Sequence, residues 1–231
     1  MRLPWMSLAD RRAWRSAKTV ADLGELMAQW LEGTLASWPG YQPNYGPDEE
    51  TAHLVPTLAA LNRAGFLTVG SQPGETGTGA DGRWWEQKAA VEGFVTDRAL
   101  YYRLLTMAQV FGLDVSVSDP ATSTHDEQIT VTTRDGEPMT GFGGALDFRD
   151  LSSMWPVIKT DTFGEVAGAV FLTIAAPQFG RDGERLWVLL DFLTGQRRQE
   201  DSDPWASGKP VVFLEDEAAA LFDQARDAEN N

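Results

Sequence analysis

The sequence predicts an α+β fold: a mixed β-sheet core with several flanking helices. Three features lead there. Apolar residues recur at helical spacing in some segments, strand-length runs rich in Val, Thr and aromatics lie between them, and Gly or Pro marks most junctions. With 231 residues and 42% hydrophobic content, the chain can bury a sizeable core. Neither an internal repeat nor a linker divides it, so one domain over 1–231 is expected. Its parts are a helical segment 1–36, a central region 48–118, a mostly β region 119–214 and a C-terminal helix 215–228.

From Thr19 to Gly33, Leu23, Leu26, Met27, Trp30 and Leu31 fall on one helical face, with Thr19 as candidate N-cap. Ser37 to Pro47 is rich in Pro, Gly, Tyr and Asn and reads as a loop. A helix opening near Asp48 runs through Leu54, Val55, Leu58 and Leu61 and ends at Gly65, where a left-handed terminator fits. Phe66 to Ser71 reads as a strand and Gly74 to Gly82 as a flexible loop. Trp84 to Val95 reads as a second strand, and Thr96 is expected to cap a helix that Gly112 stops after Phe111. Leu113 to Ser118 and Gln128 to Thr133 are strand-like, and Asp135-Gly136 signals a tight turn. Val166 to Ala175 and Leu186 to Phe192 are apolar runs of strand length.

Nineteen basic against thirty-four acidic residues give a net charge of −15, which repels phosphate backbones and anionic bilayers. Nucleic acid is therefore not an expected partner. Met1 to Asp10 lacks the apolar run of a secretory signal and no window approaches the ~18 apolar residues of a spanning helix, so a cytoplasmic protein without a membrane partner is expected. Without cysteine, thiolate metal sites are excluded, and His53 and His125 alone could supply imidazole. No metal site or catalytic triad is expected.

Two segments carry a family resemblance: "DEETAHLVPTLAALNRAGFLTVGSQPG", and, after a glycine-rich loop, "WWEQKAAVEGFVTDRALYYRLLTMAQVFGLDVSV". Their order of motifs, an acidic-Thr pair opening a helix, Asn-Arg-x-Gly, Leu-Thr-x-x-Ser-Gln-Pro and Gln-Lys-Ala, resembles the S-adenosylmethionine-binding regulatory domain of eukaryotic-type methylenetetrahydrofolate reductase. The likeness covers Asp48 to about Val117 and implies a similar α+β fold. The "WRSAKTVADLGELMAQWLEG" opening also resembles an actinobacterial group of small proteins without assigned function. By the first resemblance Glu50, Thr51, Thr68 and Ser71 would line a pocket for S-adenosylmethionine or S-adenosylhomocysteine. Asn44 and Trp5, beside Pro4, are looser counterparts of further contacts. The reductase's catalytic barrel has no counterpart, so no flavin or folate chemistry is implied and no cofactor is required.

Glu49, Glu50 and Thr51 also suit the first turn of any helix, by dipole complementation and capping. Thr68 and Ser71 lie three apart on a strand, so they share a pocket only if the strand bends near Gly70. Gly77 to Gly82 precedes an expected strand and lacks the Lys-Ser/Thr of a phosphate loop, which favours a hairpin or a flap. Of Trp84 and Trp85, one should face the core and the other solvent or a pocket. Glu86, Lys88 and Glu92 read as a solvated strand face.

The function expected is a stand-alone binding domain for S-adenosylmethionine, S-adenosylhomocysteine or a related adenosine compound, acting as sensor, sequestering protein or regulatory subunit. Two alternatives stay open: an enzyme using the same pocket with Glu50 as carboxylate base, and an acidic protein-interaction module.

Overall fold

The computed structural model describes residues 5–120 and 127–195. Two helices open the fold, α1 (Leu8–Ser16) and α2 (Val20–Leu31). Ser7 caps α1 by accepting from the Asp10 amide at 3.0 Å, and Thr19 and Asp22 form a reciprocal capping box on α2. The helix opening near Asp48 is divided: a 3-10 turn over Glu49–Leu54 feeds α3 (Val55–Arg63), and Pro56 stands at the start of the α-helical part. Pro lacks an N–H and clashes with a preceding helical turn, so the α-helix begins beside it.

Strand β1 (Phe66–Pro73) follows, then β2 (Thr76–Thr78) and β3 (Trp84–Val95). The glycine-rich stretch forms a β2–β3 hairpin, with strand β2 inside the segment expected as a flexible loop. Helix α4 (Arg98–Phe111) is capped by Asp97, which accepts from the Leu100 amide at 2.6 Å, one residue later than the expected Thr96. Its end is left-handed Gly112, with φ of 63°. β4 (Asp114–Ser118), β5 (Ile129–Arg134) and β6 (Glu137–Phe142) come next. Asp135 and Gly136, both at positive φ, close the β5–β6 hairpin.

The expected mostly β region holds three helices among its described residues: α5 (Phe148–Met154), α6 (Thr160–Ala167) and α7 (Arg185–Leu193), with β7 (Val170–Phe179) between the last two. Leu186 to Phe192, expected as a strand, lies in α7. Leu186, Trp187, Leu189, Leu190 and Leu193 are buried, the i, i+3, i+4, i+7 pattern of a helix, and the dense apolar content of the run concealed that period. Val166 begins the expected strand in sequence but ends α6 in space. The expected helix 215–228 lies outside the described residues, as does Pro4.

All strand pairs are antiparallel, in the order β4-β7-β3-β5-β6, with β1 and β2 both joined to β3 on its other side. β3 is the spine. Its C-terminal half pairs with β1 and β7, its N-terminal half with β2 and β5. The main core joins helices and sheet through Trp14, Leu23, Leu61, Phe94, Phe171 and Trp187, while Ala90, Val131 and Ala175 form a small second cluster. Thr57 donates to Asp191 in a buried hydrogen bond tying α3 to α7. No helix among the described residues is long and apolar enough to cross a membrane.

Candidate functional site

The motifs quoted from the sequence have local jobs. Asn62, fully buried, donates to Leu58 O at 2.8 Å and Thr68 Oγ1 at 2.7 Å, and accepts from the Thr68 amide at 3.0 Å. It clamps the end of α3 to β1. Arg63 pairs with Glu25 at 3.0 Å and Glu32 at 2.6 Å, both on or next to α2. Gln72 exchanges hydrogen bonds with Thr132, and the Pro73 carbonyl accepts from Trp187 Nε1 at 3.1 Å. Asn-Arg-x-Gly and Ser-Gln-Pro are therefore fixed first by packing.

β1 carries a bulge. Thr68 faces Gly93 and Gly70 faces Glu92, so Val69 is the extra residue between consecutive positions of β3. The bulge removes the phase difference between Thr68 and Ser71, which then project to the same side. Gly93 makes the close approach possible, since a Cβ there would lie 2.2 Å from the Leu67 carbonyl oxygen.

Above the bulge is a cavity of about 320 Å³, within the ~300–1,000 Å³ usual for small-molecule sites. Met27, Trp30 and Leu31 of α2 form one wall, Thr51 and Leu58 another, and Thr68 to Ser71 with Glu92 the base. Trp38, Gly40, Tyr41, Pro47 and Asp48 come from the loop after α2, and Met154 from α5. Trp30, Trp38 and Tyr41 pack on one another, with ring centroids 5.3 to 6.2 Å apart and Trp38 stacked on Tyr41. The Trp30 indole donates to Tyr45 O at 2.9 Å, whereas the buried Trp38 Nε1 has no partner among the described residues. An unpaired buried donor is costly, so an acceptor in the cavity would repay it.

The sequence-derived residues divide. Thr51, Thr68 and Ser71 line the cavity; Glu50, Asn44 and Trp5 do not. Thr51 also donates to the Asp48 carbonyl at 2.8 Å, closing the 3-10 turn. Glu50 sits towards the β2–β3 hairpin, near Glu75 and Gln87. Burial, with help from Asp48 and Glu75, holds its carboxyl above the usual range. Asn44, at φ of 61°, donates through its amide to Ser37 Oγ and through Nδ2 to the Trp5 carbonyl, each at 3.0 Å. The Trp5 side chain is exposed.

Other expectations resolve in the same region. Trp84 is exposed, and Trp85 is half-buried under the Arg134 guanidinium, so neither reaches the cavity. Arg134 pairs with Asp81, and Glu86 accepts from Thr133. Glu86, Lys88 and Glu92 are not a solvated face. Lys88 is bonded to Asp114 at 2.8 Å with its side chain 12% exposed, and Glu92 is largely buried.

Reasoning from sequence missed the aromatic wall and Glu92. The wall is spread over α2 and a loop, so no spacing marks it. Glu92 left a trace, as one carboxylate inside the run Ala89-Ala90-Val91-Glu92-Gly93-Phe94-Val95, where its neighbours are buried. Its Oε2 accepts from the Gly143 amide at 3.0 Å and from Thr173 Oγ1 at 3.3 Å. Burial outweighs both bonds and pushes the carboxyl up to about 7.

The chain belongs to the family described as "Domain of unknown function (DUF6919)", whose model matches residues 9–196. That span runs from the start of α1 to just past α7 and contains every residue of this chain that lines the cavity.

Proposed function

We propose that the chain is a cytoplasmic binding domain for S-adenosylmethionine, S-adenosylhomocysteine or a related adenosine compound, working as a sensor, sequestering protein or regulatory subunit. The observation that carries this reading is the convergence of Thr51, Thr68 and Ser71, from two separate elements, on one cavity walled by Trp30, Trp38 and Tyr41. An adenosine compound needs a flat apolar partner for its purine and hydroxyl or carboxylate partners for its ribose. Both kinds of group line this cavity. The resemblance of Asp48 to Val117 to the reductase regulatory domain supports the same ligand class.

Thermal melting with each ligand tests the reading. Ligand at ~100 times Kd should stabilise the fold by about 2.7 kcal/mol, and adenosine alone should do less. No shift with either compound at saturating concentration rejects the ligand assignment. An enzyme using the same cavity has one observation in its favour: a carboxyl that titrates near neutrality, Glu92, as general acid-base chemistry needs. Chromatography after overnight incubation separates the two, since unchanged ligand supports a binding domain and new products support turnover.

A further inference from the structure

We propose that Glu92 selects the ligand's charge, favouring a compound that brings a sulfonium or ammonium centre to the cavity over a neutral one; this rests on the adenosine-compound reading above. Register supplies the first argument. Gly70, Glu92, Thr173 and Ser116 stand opposite one another on β1, β3, β7 and β4, forming a polar row across the sheet face opposite to Thr68 and Ser71. Gly143 covers that row. Its carbonyl accepts from Ser116 Oγ at 2.9 Å, and its amide donates to Glu92 Oε2. Glu92 nonetheless lines the cavity, because the residue beside it on β1 is glycine. A Cβ at Gly70 would stand 2.9 Å from Glu92 Oε1 and 3.0 Å from its Cγ. With no side chain at Gly70, the carboxyl packs directly against β1, and both residues belong to the cavity lining.

Charge supplies the second argument. The cavity lining holds two carboxylates, Asp48 and Glu92, and no Lys, Arg or His among the described residues. Asp48 is exposed and engaged by the Tyr41 hydroxyl at 2.8 Å, so solvent already screens it. Glu92 differs. The groups facing it are Gly70 of β1, Thr173 of β7 and the Gly143 amide; none is charged, and no ion pair among the described residues opposes its burial. Oε2 takes two hydrogen bonds, and Oε1 takes none among the described residues. A buried carboxylate with a vacant oxygen and no counter-ion is costly, and a ligand cation would remove that cost. The rings of Trp30, Trp38 and Tyr41 add faces that attract the same charge. Burial holds the carboxyl's proton up to about pH 7, so a bound cation, which favours the ionised form, would displace proton to the buffer.

Three adenosine compounds separate the cationic centres: S-adenosylmethionine carries sulfonium and ammonium, S-adenosylhomocysteine ammonium without sulfonium, each with an α-carboxylate, and 5′-methylthioadenosine none of these groups. Calorimetry of each with wild type and Glu92→Gln, in two buffers of different ionisation enthalpy, is the test. Wild type should bind S-adenosylmethionine at least about tenfold more tightly than methylthioadenosine and release proton on binding near pH 7. Glu92→Gln should bring the two within about threefold, leave methylthioadenosine unchanged and release no proton. Loss of S-adenosylhomocysteine affinity along with S-adenosylmethionine identifies ammonium as the centre recognised, and its retention identifies sulfonium.

Equal affinities of wild type and variant for all three, equal weakening of all three, or no proton release from wild type overturns the assignment. The proton count uses wild type alone and stands even if the variant folds poorly. If no adenosine compound binds wild type, the adenosine reading fails, and trimethylsulfonium becomes the probe for Glu92. A Glu92-dependent thermal shift with it retains the charge selection, and an identical response of both proteins ends it.

Discussion

Replacing Glu92 by Gln should remove a specific pH dependence of stability. The carboxyl rises from 4.5 to about 7 because the fold buries it, against the opposing pull of the Gly143 amide and the Thr173 hydroxyl. A group whose folded pKa lies above its unfolded value binds its proton more tightly in the native state. Its stabilising contribution is complete below pH 4.5 and is lost as pH rises through 7. Every tenfold gain in proton affinity is worth about 1.4 kcal/mol, so wild type should lose ~3 kcal/mol across that window. Gln fills the same space, accepts the same two hydrogen bonds and never ionises. Urea unfolding of both proteins at about pH 5, 6, 7 and 8 gives the difference directly, and other titrating groups, Glu50 included, cancel in the comparison. The Gln variant should gain on wild type up to about pH 7 and then hold its lead. Parallel curves over the whole range would refute the claim that burial holds this proton, and would weaken the charge-selection proposal with it.

Thr68 and Ser71 should behave differently although both face the cavity. Thr68→Val deprives Asn62 Nδ2 of an acceptor and should cost about 1 kcal/mol of stability by denaturant unfolding, while Ser71→Ala should be close to neutral because its hydroxyl has no protein partner among the described residues. By titration calorimetry each should weaken ligand binding by about 0.5–1.5 kcal/mol, and unchanged affinity in both would detach the bulge from the site. Glu50→Gln relieves repulsion with Asp48 and Glu75 and should leave affinity within about threefold of wild type, because Glu50 lies outside the cavity lining. A loss of about tenfold or more in the same assay would restore the ligand contact that the family resemblance implies.

The sequence by itself determined the α+β class, the course of α2, β1, β3 and α4, and the Asp135-Gly136 hairpin, because capping residues, apolar period and turn glycines act over a few neighbouring positions. It also marked Gly70 as the place where β1 had to bend, since Thr68 and Ser71 could otherwise not share a side. Where local signals compete, it misjudged. The Leu186 to Phe192 run is apolar enough to suit strand or helix, and packing against α3 and the sheet decided for α7. Ionic character was misjudged more deeply. Lys88 and Glu92 alternate like a solvated face, yet Lys88 is engaged by Asp114 of β4, and Glu92 by Thr173 of β7 and by Gly143, partners up to about eighty positions away along the chain. The cavity follows the same rule. Its aromatic wall, its threonines and its one buried carboxyl become neighbours only through the bulge opposite Gly93 and the return of the loop after α2. Nothing in residue spacing encodes those distances, because they are set by which surfaces the core brings together.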